Sequence, residues 1–128
     1  MRKIKRPPSW IAKKAKRGFK GYPVATLALY GPTAALATKI AVSIIPDERG
    51  QPDHLERWFS QDGDIRYDHT IAKEIDAFLR LHEARSVAAV DRIIGCPHEE
   101  GVDYPDGQSC PQCPFWAGRD RFTHERIH

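Results

Sequence analysis

The sequence predicts an α+β fold, a small mixed sheet carrying one well-formed helix, with a metal-binding lobe at its C-terminal end. Three observations predict it. Two branched, apolar runs of strand length lie on either side of Gly31-Pro32. An amphipathic helical stripe follows them, and a short returning strand then leads into all three of the chain's cysteines. With 128 residues, 41% of them hydrophobic, the chain has the scale of one compact domain with a modest core.

Residues 1–22 read as a basic arm. Pro7-Pro8 interrupts regular structure, and Ser9 then caps a short helix that runs to Lys16 and stops near Gly18. Only Trp10, Ile11 and Ala15 are available to bury, so this helix is marginal alone and is expected to order on a partner. The core spans residues 23–95. Within it, 24–30 and 39–45 read as strands; in the second, Ile40, Val42 and Ile44 share one face of a two-residue period, and Pro46 ends the run. The linker at Gly31-Pro32 is short enough for a hairpin.

Residues 55–59 carry opposing signals. Asp53 with Glu56 three positions on is a capping box and argues for a short helix. The Asp62-Gly63 turn argues for a third strand, which is the reading adopted. Asp68 caps a helix from His69 to about Ala84, whose Ile71, Ile75, Phe78, Leu79 and His82 form one stripe. A final strand over 87–90 runs through Ile93-Ile94 to Gly95. This order of elements occurs in several nucleic-acid-handling folds, which by itself assigns no function.

The formal charge of +3 conceals a division along the chain. Nine of the 20 basic residues and none of the 17 acidic ones lie in residues 1–20: Arg2, Lys3, Lys5, Arg6, Lys13, Lys14, Lys16, Arg17 and Lys20. The remaining chain holds eleven bases against seventeen acids, a balance of −6. Cations interleaved with Trp10, Phe19 and Tyr22 can neutralise phosphates and stack on exposed bases, so RNA or DNA is the expected partner of residues 1–20. The plainer readings are a solvated tail, or a tail docked on the chain's own acidic surface.

No apolar stretch is long enough to span a bilayer, and no membrane contact is expected. Three cysteines cannot all pair within one chain, no apolar run follows the basic start, and the absence of asparagine removes any N-glycosylation acceptor. These features point to a cytoplasmic, reducing location. A mitochondrial presequence would also be basic and acid-free, but such segments favour Arg and Ser, whereas Lys dominates here.

Chemistry concentrates at the end of the last strand. Cys96-Pro97-His98 is followed after eleven residues by Cys110-Pro111-Gln112-Cys113. One or two intervening residues turn each pair inward, and two such grips supply Cys96, His98, Cys110 and Cys113 to a tetrahedral ion; thiolates with one imidazole favour Zn²⁺ over magnesium or calcium. The motif resembles the zinc knuckles of zinc-ribbon and treble-clef modules over about twenty residues. The resemblance implies a structural zinc-knuckle lobe over 96–128 and no particular activity. It departs from the pattern at Pro114, where many knuckles have Gly, and in the tight C-x-H of the first pair.

Other readings of these residues stay open. Cys110 and Cys113 could form a redox pair, although Pro114 and the neighbouring second grip argue against a helix starting there. His98-Glu99-Glu100 with Cys-x-x-Cys is similar to the zinc deaminase signature, with Glu100 as acid/base. Those sites need a longer separation, Ser109 stands where they have Pro, and Cys96 would fill the position of the reacting water. The cysteines could also be plain buried apolar residues.

The acids Glu99, Glu100, Asp103 and Asp106, with no Lys or Arg between Cys96 and Cys113, make this lobe an improbable phosphate reader. They could instead present an acidic loop to a basic protein partner. The acids Asp62, Asp64 and Asp68 lack EF-hand spacing, since Gly63 is misplaced and Arg66 stands where an acid is needed, so turn and cap roles account for them. Phe115-Trp116 is expected to pack on the metal lobe or the helix. Arg119, Arg121, Phe122, His124, Arg126 and His128 make a basic, aromatic tail. The leading functional expectation is a non-catalytic zinc-binding protein that contacts nucleic acid through its arm; the alternatives are a zinc enzyme using Glu100 and an acidic-loop adaptor.

Overall fold

In the computed structural model, which describes residues 9–15, 18–108 and 110–117, the chain folds as α1 (Trp10–Ala15), β1 (Val24–Tyr30), β2 (Lys39–Ile45), β3 (His54–Phe59), α2 (His69–Leu81) and β4 (Ser86–Ile93). The four strands form one mixed sheet in the order β3-β2-β1-β4. Both strands of the hairpin lie where their periodicity puts them, and Tyr30 pairs with Lys39 across the 31–38 linker. Segment 54–59 is a strand and not a helix. Asp53 donates its amide to the Ile44 carbonyl at 3.0 Å, and β2 registers Ile44 with His54 through Lys39 with Phe59. Ladder hydrogen bonds to β2 prevail here over the local capping box.

The alternation in β1 and β2 sends Ala25, Leu27 and Leu29, with Ile40, Val42 and Ile44, to one buried face. On that face α2 lays down Ile71, Ile75 and Leu79, while its half-buried Phe78 meets Trp58 of β3 edge-to-face, centroids 5.5 Å apart. The Asp68 carboxylate accepts the Ile71 amide at 3.0 Å, as its capping role requires. The helix ends at Leu81, one turn earlier than its pattern suggests. His82 caps it and Glu83 takes a φ of +53°, because the chain must reverse to bring Ser86 beside Val24. Strand β4 then runs parallel to β1 and is twice the expected length.

The short N-terminal helix is part of this core. Ser9 Oγ accepts the Ala12 amide at 3.1 Å, Ile11 is wholly buried among the sheet residues, and Lys14 pairs with Asp76 of α2. The helix expected to be marginal on its own thus docks on its own sheet, with Ile11 in the shared core. A single well-placed isoleucine and a cap are enough once a neighbouring apolar face exists. Ile11→Ala should cost about 2–4 kcal/mol of stability, read as a lower denaturant midpoint. A change within a few tenths would mean that α1 only rests on the surface.

A short 3₁₀ turn, Ile65–Tyr67, closes the layer. Asp64 caps it and gathers the Ala37 amide (3.1 Å), the Arg66 amide (3.0 Å) and the Arg66 guanidinium (2.7 Å). Burial alone pushes this carboxyl up, but the Arg66 side chain and the two amides more than reverse that, holding it below the usual 3.8. The folded form therefore prefers the carboxylate, so its contribution is present above pH 3.8 and fades as pH falls through the depressed value. Asp64→Asn should lower the denaturant midpoint at neutral pH. The gap to the parent should close in acid; a gap that persists unchanged at low pH would assign the loss to packing.

Both sheet edges are strands. Edge β3 is exposed except at Trp58, and its central Glu56 and Arg57 discourage pairing with another chain. The face opposite the helices, floored by Thr26, Ala28, Ala41 and Ser43, carries no helix among the described residues. Among those residues no helix is long and apolar enough to cross a membrane.

Candidate metal centre

The end of β4 is stitched to the β1 turn before the first ligand appears. Ile94 donates its amide to the Leu29 carbonyl and Gly31 donates to Gly95, each at 2.9 Å. Cys96 thus leaves the sheet from a fixed point. Cys110 and Cys113 sit on a tight turn in which the Cys113 amide reaches the Cys110 carbonyl at 3.4 Å. A 3₁₀ turn, Pro114–Trp116, follows directly. Pro114 occupies its first position, where a missing N–H leaves no hydrogen bond unmade, so this departure from the knuckle pattern is tolerated.

The two grips meet. The Sγ atoms of Cys96, Cys110 and Cys113 lie 3.2, 3.4 and 3.5 Å from one atom, Nδ1 of His98, and all four ligand atoms are within 4.8 Å of one another. One imidazole nitrogen can share only one hydrogen, so three sulfurs at these distances are not a hydrogen-bond set. They match the edges of a tetrahedron about an ion with metal–sulfur bonds near 2.3 Å and a metal–nitrogen bond near 2.0 Å, roughly 3.5 Å. Cys110 and Cys113 are buried, Cys96 and His98 half-buried. Without an ion, burial and the neighbouring sulfurs of Cys113 and Cys110 push the Cys96 thiol up to about 12, and burial raises Cys113 as well. The Cys96 and Cys113 thiols therefore favour the protonated form unless a cation shares the site, and metal uptake would release protons.

Sequence reasoning missed the group that anchors this centre to the sheet. Lys39, at the start of β2, is only 4% exposed. Its ammonium donates to the Pro97 carbonyl (3.0 Å), between two ligands, and to Glu99 Oε1 (3.1 Å), and lies over the Tyr30 and Phe59 rings at 5.2 and 5.6 Å. Arg57 of β3 pairs with the same Glu99 carboxylate. Lys39 first, then Arg57, hold that carboxyl below its ordinary range. A lysine opening an apolar strand reads as a solvated end, and only the tertiary fold sets it beside the ligand loop. Lys39→Met should weaken metal binding by roughly 10- to 100-fold in competition with a chromophoric chelator. Unchanged affinity would reduce Lys39 to a packing role.

Three of the four acids of the loop are engaged, two within the loop and one by the sheet. Glu100 Oε1 accepts the Gly107 amide at 2.8 Å, Asp103 accepts the Glu99 amide at 2.7 Å, and Glu99 is clasped as above. Trp116 of the turn donates its indole N–H to the Gly31 carbonyl at 2.7 Å and packs against the core, fixing the second grip to the hairpin. The centre walls a trough of about 780 Å³ over the uncovered sheet face, in which Cys96, His98 and Cys110 are lining residues.

Of the candidate nucleic-acid residues, Trp10 is turned inward, its indole N–H directed at the Ile65 carbonyl (3.4 Å), and Lys14 is paired with Asp76. Lys13 and Lys20 are exposed. Arg2, Lys3, Lys5, Arg6, Lys16 and Arg17 lie outside the described residues, as does the tail with Arg119, Arg121, Phe122, His124, Arg126 and His128.

Fold and site define an α+β protein with a three-cysteine, one-histidine cluster that could hold a metal ion. No family model matches the chain, and neither a curated protein nor a solved structure is significantly similar to it.

Proposed function

We propose that Cys96, His98, Cys110 and Cys113 hold a structural Zn²⁺ ion, bound through Nδ1 of His98, and that the protein is a zinc-stapled binding module. The observation that carries this reading is the convergence of three sulfurs on one imidazole nitrogen. Soft thiolates at tetrahedral spacing select zinc among common divalent ions, and four protein ligands leave no position for a reacting water. The engagement of Glu100 with the Gly107 amide further supports a structural centre over a hydrolytic one. Three thiolates, a neutral imidazole and Zn²⁺ carry a net −1, which the buried Lys39 ammonium offsets. The test is the metal content of the purified chain, with cobalt substitution. One zinc per chain and a tetrahedral three-sulfur, one-nitrogen cobalt spectrum are expected; an exchangeable water on the metal, or iron in its place, would overturn the reading.

A second reading concerns the partner: nucleic acid contacted through the basic N-terminal residues. The segregation of nine bases and no acid into residues 1–20, against an acidic remainder, favours it. Because Ile11 belongs to the core, the informative variant replaces Arg2, Lys3, Lys5 and Arg6 with Ser and keeps α1. Binding that falls steeply with salt and drops in this variant is the expected result. Equal binding by variant and parent would remove those four residues from the interface.

A further inference from the structure

A cavity of about 490 Å³ opens beside residues 18–21, at the β4 edge of the uncovered sheet face. The segment is pinned there: Lys20 donates its amide to Ser86 Oγ at 2.7 Å, and that hydroxyl donates to the Gly21 carbonyl at 2.6 Å. The walls are chiefly apolar, formed by Val24, Ala28, Ala88 and Ile94. Phe19 stands on the rim with 69% of its surface exposed, set edge-on to Tyr22 with ring centroids 5.4 Å apart. An aromatic ring left so exposed at the mouth of an apolar recess has no role in the core.

Among the described residues, the charged side chains around this recess are of one sign. Arg92 lines it, Lys20 follows Phe19, and the Arg85 guanidinium lies beside Gly21. All three are exposed, and none has an ion-pair partner among the described residues. Lys13, Lys73 and Arg80 are likewise exposed without an ion-pair partner among the described residues, so what sets Lys20, Arg85 and Arg92 apart is their placement around one apolar recess. An apolar slot with a free aromatic face and a cationic rim complements a flat base joined to phosphates. A lipid surface fits less well, since membranes are engaged by apolar groups that protrude, and here they are recessed around one ring.

We infer that this recess is a single-strand site, in which an unpaired base of RNA or DNA stacks on Phe19 while Lys20, Arg85 and Arg92 hold the flanking phosphates. It rests on the nucleic-acid reading above and gives that reading a position and a preference for single strands. Trp10, half-buried against the core with its indole N–H directed at the Ile65 carbonyl, is not the stacking residue; Phe19 is.

The test uses the full-length, metal-loaded chain and two fluorescein-labelled probes, an oligothymidylate of about 15 nucleotides and a mixed-sequence duplex of equal length. Phe19→Ala, at an exposed position that leaves the fold undisturbed, should weaken single-strand binding roughly tenfold and leave duplex binding unchanged. Phe19→Trp should restore it. If the parent binds neither probe, the nucleic-acid reading itself fails. If the parent binds both alike and Phe19→Ala is silent, the inference fails while contact through the basic residues stands. Phe19-dependent binding to phosphatidylserine-containing vesicles, without Phe19-dependent oligonucleotide binding, would overturn it in favour of a membrane surface.

Discussion

Removing the metal with a strong chelator will release the C-terminal lobe and leave the sheet folded. Among its described residues the lobe has almost no apolar interior of its own: Val102 is 76% exposed, Pro111 and Pro114 face solvent, and the buried ones are Cys110 and Cys113. The described residues of 96–117 are tied down by the Lys39–Glu99–Arg57 clasp and the Trp116 indole, to which the proposed metal would add the joining of its four ligands. Structural zinc sites bind with apparent free energies on the order of 10 kcal/mol, far more than those contacts supply. The sheet and its helices share a separate core, from Ile11 to Ile93, that holds no ligand. Hydrogen exchange should therefore show the Gly101, Asp103, Cys113 and Trp116 amides losing protection on chelation, while those of Leu27 and Val42 keep theirs. Cys113→Ser should give the same pattern without chelator. Loss of protection throughout would make the metal a determinant of the whole fold; full retention in the lobe would remove it from the folding account.

Gly31→Ala is expected to be the most damaging single methyl that can be added outside the ligand set. A Cβ at this position would fall 1.7 Å from the Leu36 carbonyl oxygen and 3.2 Å from Ala37 Cα, backbone atoms that cannot step aside. Gly31 is also where three parts of the chain meet, its amide donating to Gly95 and its carbonyl accepting the Trp116 indole. Moving the 31–38 linker to admit the methyl breaks both bonds and shifts the start of β2, where Lys39 supports the metal loop. A loss of about 4 kcal/mol or more is expected, with weakened metal binding as its companion. A thermal shift of only a few degrees would show that the linker can yield, and that the close approach is not a constraint on sequence.

Local signals and long-range placement divide cleanly in this protein. Both hairpin strands, the Asp68 cap and the Ile71-Ile75-Leu79 stripe were legible because alternation, capping and helical period are properties of a few neighbouring residues. The ligand set was legible for a related reason: short C-x-H and C-x-x-C spacings fix each pair's geometry wherever the pairs end up. The length of α2 and the fate of the N-terminal helix were not. Glu83 adopts its left-handed conformation to serve β4, and Ile11 finds a partner in a sheet that begins a dozen residues later. Each cause is a pairing with distant residues, Ser86 with Val24 of β1 in the first case and Ile11 with the sheet in the second.

The sequence alone determined that this is an α+β chain whose charge is segregated by segment and whose three cysteines and one histidine fall in two short pairs at metal-ligand spacing. Those are statements about spacing along a polymer. Only the tertiary structure decided that the two pairs meet at Nδ1 of His98, that a buried lysine from β2 stands behind them, and that Phe19 remains exposed while Trp10 is half-buried against the core. Each of these depends on which surfaces the sheet brings within a few ångströms. Burial and desolvation give a lysine or an aromatic ring its role, and they arise from packing between segments far apart in the chain.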